Sequence, residues 1–104
     1  MIDKGVRLHV ARRSEESLKC FDEAIKIDPT NAEAWINKGI SLDDLGRFEE
    51  AVECYDEAVK IDPKHASAWY NKGNALDDVG KREEAIKCYD EALKLNPRLE
   101  HPLR

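Results

Sequence analysis

Cys20, Cys54 and Cys88, the histidines His9, His65 and His101, and the pairs Asp43-Asp44 and Asp77-Asp78 are the side chains most suited to chemistry in this chain. Thiols and imidazoles would ligate a metal or pair as nucleophile and base, and adjacent carboxylates would serve as acid and base. Their spacing supports none of these. The cysteines are odd in number, with no CxxC or Cys/His spacing, which disfavours a disulfide framework or a zinc site. The histidines share no common spacing, and no glycine-rich phosphate loop occurs. The Asp pairs fall on an open helix face, where carboxylates stay ordinary. No catalytic residue, metal or cofactor is expected, and the chain reads as a non-enzyme.

The cysteines are instead one column of a repeat. Residues 32–65 and 66–99 align without a gap and are identical at 20 of 34 positions, which sets a period of 34. Gly5, Cys20, Ala24 and Pro29 each lie one full period before Gly39, Cys54, Ala58 and Pro63, which carries the register back through residues 1–31. A period of this length means stacked supersecondary units in a single domain over 1–99, with repeats 1–31, 32–65 and 66–99 and a short tail, 100–104. Each cysteine lies four positions before an alanine of its helix and is expected on the packed face as a small buried hydrophobe.

Each unit reads as two helices. Trp35, Gly39 and Leu42 form one amphipathic stripe, stopped by Gly46; Ala51, Tyr55, Ala58 and Val59 form a second, ended by Asp62-Pro63. Helices are expected near 32–45, 48–61, 66–79 and 82–95, with a first pair near 1–11 and 14–27. Arg12 stands where the turn glycine of that first pair would be. Ser14, a good N-cap, still makes a normal turn the expectation. The alternative is one helix from about 2 to 27, which would push its first half onto another molecule as a swap.

Charge narrows the partners. With 17 Lys+Arg against 22 Asp+Glu the chain carries −5, which argues against nucleic acid. No apolar run is long enough to span a bilayer and no leader opens the chain, so a cytoplasmic location is the default expectation.

Trp35, Gly39, Leu42, Gly46, Ala51, Tyr55, Ala58 and Pro63, repeated at Trp69, Gly73, Leu76, Gly80, Ala85, Tyr89, Ala92 and Pro97, resemble the tetratricopeptide repeat (TPR) pattern. Lys38 and Lys72 depart from it in place of the usual Leu, Arg82 replaces an aromatic, and the first unit is degraded at Met1, Arg12 and Ser17. The resemblance implies an all-α fold, an alpha-alpha superhelix of three antiparallel helix pairs. It also implies a non-catalytic scaffold whose first helices line a concave groove for peptide segments of other proteins. The carboxylate clamp of chaperone-cofactor TPR domains is disfavoured. Its places read Ile2, Val6, Asn37, Ser67 and Asn71, and every cation is missing.

The groove face follows from helix geometry. If Trp35, Gly39 and Leu42 face inward, then Glu33, Ile36, Asn37, Ile40, Asp43 and Asp44 lie about a third of a turn away. The same face carries Ile2, Asp3 and Val6 in the first unit and Tyr70, Asn71, Asn74 and Asp77 in the third. An apolar floor suggests an interaction surface, unless it packs only against neighbouring first helices. Asn37 and Asn71 would pair with the backbone of an extended peptide, as in asparagine ladders, or serve structurally. The aspartates oppose the macrodipole at the ends of their helices. Either Arg47, Lys81 and Arg82 neutralise them across the turn, or a basic ligand does.

Ile86, Tyr89 and Leu93 on the last helix repeat the pattern that earlier units use to receive the next unit. They are expected to self-associate through the C-terminal end, with the chain an excised piece of a longer array.

Overall fold

Glycines and prolines at fixed spacing cut the chain into helices. The computed structural model describes the backbone of residues 3–99 and the side chains of residues 12–99. Five helices, and no strand, appear among the described residues: α1 (Asp3–Ile27), α2 (Ala32–Asp44), α3 (Phe48–Ile61), α4 (Ala66–Asp78) and α5 (Arg82–Leu95). α2 ends because Gly46 adopts φ 76, a left-handed conformation that costs an L-residue but not glycine. Its N–H donates to Asp43 O at 2.9 Å and the N–H of Arg47 to Leu42 O at 2.8 Å, closing the helix. Gly80, at φ 86, ends α4 through the equivalent bonds to Asp77 and Leu76.

The turns that close the units share a second device. The side chains of Asp28, Asp62 and Asn96 accept the N–H two residues on, at 3.0, 3.2 and 3.2 Å. The intervening proline cannot extend the helix. The indoles of Trp35 and Trp69 donate to the carbonyls of Pro29 and Pro63, both at 2.9 Å, latching each first helix to the turn before it.

Close approach holds each pair. The rings of Tyr55 and Tyr89 are fully buried against Gly39 and Gly73, where an added Cβ would lie 2.5 and 2.6 Å from the ring. α2 packs on α3 and α4 on α5, α1 on α2 and α3 on α4, while α2 touches α4 lightly. One core joins Leu42, Tyr55 and Ala58 to Ala68 and Ala75 of the next unit, so stacking completes what a single unit cannot bury.

The first pair is not made. α1 runs unbroken through residues 11–14, so a single long helix stands where two were expected. Arg12 would pay the strain of positive φ that Gly46 and Gly80 avoid, and no residue from Val10 to Arg13 interrupts the hydrogen-bond ladder. Ser14 caps nothing as a helix start; it is buried, and its hydroxyl donates to Asp44 Oδ2 at 3.3 Å. Cys54 and Cys88 are buried as expected, but Cys20 is exposed, because no first helix folds back over it.

Candidate functional site

α2 and α4, the first helices of the two complete units, carry most of the expected site residues. Asn37 is half-buried beside α1, and Ile40 is 39% exposed, one of the few large apolar side chains left in solvent. Tyr70, Asn71, Asn74 and Asp77 are half-buried on α4. Tyr70 stacks tilted on Tyr89, with ring centroids 5.4 Å apart. Asn74 accepts the Tyr89 hydroxyl at 2.7 Å, which fixes its carbonyl oxygen.

Several expectations change on contact with the geometry. Ile36 is not part of an open floor: at 3% exposure it belongs to the core. Glu33 is exposed but lies 2.5 Å from His65 Nε2, tying the start of α2 to the start of α4. Ile2, Asp3 and Val6 fall outside the residues whose side chains are described. Tyr89 is 1% exposed beneath Gly73 and presents nothing for self-association; its ring fills its own unit, as Tyr55 does. Ile86 and Leu93 are only part-covered. Val52 and Val59, their counterparts in the preceding unit, pack into the core between units.

The C-terminal ends of α2 and α4 gather negative charge. Asp43 accepts the Tyr55 hydroxyl at 2.6 Å, and its second oxygen is buried without a hydrogen-bond partner among the described residues. Burial pushes its pKa up to about 6; the Tyr55 bond opposes the rise, and the charges of Asp78 and Asp44 add to it. The Tyr55 hydroxyl is held far above the phenol range by burial first and then by Asp43. Tyr89 is pushed up to about 12 by burial, with Asp77 adding to it. Arg47 does not neutralise the cluster; it pairs with Glu50 at 2.6 Å along its own helix. Among the described residues no Lys or Arg bridges to Asp43, Asp44, Asp77 or Asp78.

The lysines at the departures from the repeat pattern have a structural place. Lys38 lies 2.9 Å from Asp22 and Lys72 2.6 Å from Asp56, each reaching the preceding helix. Each ammonium also sits over the tryptophan of its own helix, at 5.7 and 5.5 Å from the ring centroid. Asp22 and Asp56 occupy one column of the repeat, which was the signal for this link in the sequence.

The tetratricopeptide repeat family matches residues 32–65 and 66–99, and a second tetratricopeptide repeat profile matches residues 12–31. The chain belongs to the tetratricopeptide repeat family, and its fold is the all-α superhelix of that family. Among solved structures it is similar to MamA, with 26% identity and TM-score 0.77 over 83% of this chain and 50% of that one. It thus spans about half the length of MamA. The first TPR of Spaghetti (RPAP3) bound to HSP90 peptide SRMEEVD is similar at 26% identity and TM-score 0.83, over 93% of this chain and 77% of that one. YrrB, a TPR protein with an unusual peptide-binding site, is similar at 26% identity and TM-score 0.78, over 84% of this chain and 45% of that one. A search of curated proteins found no match. No helix among the described residues is long and apolar enough to cross a membrane.

Proposed function

We propose that this chain is a non-catalytic scaffold that binds an extended peptide segment, with basic and apolar side chains, along the concave face of α2 and α4. The observation that carries this reading is the set of four carboxylates, Asp43, Asp44, Asp77 and Asp78, that no cation among the described residues bridges. They stand where the helix macrodipoles are already negative, so a cationic side chain would relieve both. Asn71, half-buried about two turns before Asp77 on α4, offers an amide that donates and accepts, suited to peptide backbone of any sequence. Ile40 and Tyr70 supply apolar contact.

Peptide binding by structural relatives supports the class of partner and not its sequence. The HSP90 peptide SRMEEVD held by Spaghetti is itself acidic. Here the groove is acidic, and Asn37, Ser67 and Asn71 supply no cation for a terminal carboxylate. A different, basic ligand follows. A surface of this size gives an affinity on the order of micromolar. Replacing Asn71 and Asp77 together with Ala should weaken binding of a lysine-rich peptide with unchanged circular dichroism. Parental affinity in the double variant would overturn the groove assignment.

A further inference from the structure

We propose that the open cleft between α1 and α2 is the seat of the N-terminal helical segment of a second copy of this chain, so that two chains exchange residues 3–11. Four columns of the repeat carry the case. Ala51 and Ala85, Cys54 and Cys88, Tyr55 and Tyr89, and Ala58 and Ala92 are all 5% exposed or less. Their counterparts on α1, namely Ser17, Cys20, Phe21 and Ala24, are partly or wholly exposed. In the complete units the tyrosine column lies under the unit's own first helix, against Gly39 and Gly73. Here the same place is a cleft of about 340 Å³ between Ser17 and Phe21 on one wall and Asn37, Ile40 and Asp44 on the other.

The shape of the cleft selects its occupant. An aromatic ring at the Tyr55 position admits a helix only where that helix has glycine, as Gly39 and Gly73 show. Phe21 is the aromatic of the first unit, and the chain holds the matching glycine, Gly5, in the column of Gly39, followed by Leu8 in the column of Leu42. The same copy does not supply it. In a continuous helix Gly5 lies about 24 Å along the axis from Phe21, at about 1.5 Å per residue. Within the segment Lys4 and Arg7 outnumber Asp3, while the cleft is lined by one carboxylate, Asp44, and one cation, Arg13, so shape rather than charge selects the occupant.

Seating the helix by register would also place Asp3 and Val6 in the columns of Asn37 and Ile40, so the concave face would gain a third wall from the second copy. The exchange stands whether or not that face binds a peptide.

Sedimentation equilibrium of the full chain, paired with alkylation of Cys20, tests the exchange. The expected result is a species of twice 11.9 kDa at high micromolar concentration, with Cys20 alkylated more slowly as the dimer forms. Gly5→Leu should weaken the dimer about tenfold or more, because the ring of Phe21 leaves no room for a side chain, and should restore fast alkylation. Arg12→Gly should restore the turn and give a monomer with protected Cys20. A parent chain that stays monomeric would overturn the proposal. So would a dimer that neither Gly5→Leu nor Arg12→Gly affects, since the copies would then meet elsewhere, as through Ile86 and Leu93.

Discussion

Gly39 and Gly46 show two separate demands on one residue type. At Gly39 the demand is space. Alanine there would drive a methyl into the Tyr55 ring, and Gly39→Ala should cost about 1–3 kcal/mol in chemical denaturation, as should Gly73→Ala. At Gly46 the demand is φ, with nothing near the missing Cβ, and Gly46→Ala should cost about 1 kcal/mol. Asp43 makes a prediction of opposite sign in pH. Its folded pKa, about 6, lies above that of a free carboxylate, so the folded state holds the proton more tightly. The stability this adds is complete below about pH 4 and is lost as pH rises through about 6. Partial exposure screens the effect to roughly 1 kcal/mol. Urea unfolding from pH 4 to 7 should show that slope, and Asp43→Asn, which keeps an acceptor for Tyr55, should remove it.

At the scale of elements, α2 to α5 were legible because every boundary has a local cause within a few residues: Gly46 and Gly80 at φ above zero, Asp62-Pro63 and Asn96-Pro97 at the turns. α1 was misread because its boundary depended on an absence. Ser14 signals a helix start, but a start signal without a stop at Arg12 leaves the ladder intact. Burial was misread wherever the missing turn removed a neighbour, as at Cys20, or where a stripe was read one step too far round the helix, as at Ile36 and Tyr89. Periodicity fixes which residues share a face, while packing decides which of the adjacent faces is covered. Thiol chemistry reads this difference. At low protein concentration Cys20 should react promptly with a disulfide reagent, while Cys54, buried with its pKa pushed up to about 11, and Cys88, also raised by burial, should react only on unfolding. Equal rates at all three would contradict the described packing.

For the whole molecule the central claim is that the face shared by α2 and α4 is a peptide groove with an acidic end. The polar composition of the first helices was legible in the sequence, whereas the state of Asp43 was not, because that depends on Arg47 turning to Glu50 and Tyr55 reaching Asp43. Ligand affinity should therefore fall with added salt, and fall again as pH drops through about 6, since a cation prefers the ionised Asp43. The most direct measurement is an NMR titration of the intact chain with an unstructured peptide alternating lysine and leucine. Amide shifts should move on α2 and α4, centred on Asn37, Ile40, Asn71, Asn74 and Asp77, with saturation on the order of micromolar to tens of micromolar peptide. No movement at millimolar peptide, or shifts confined to α3 and α5, would contradict the account.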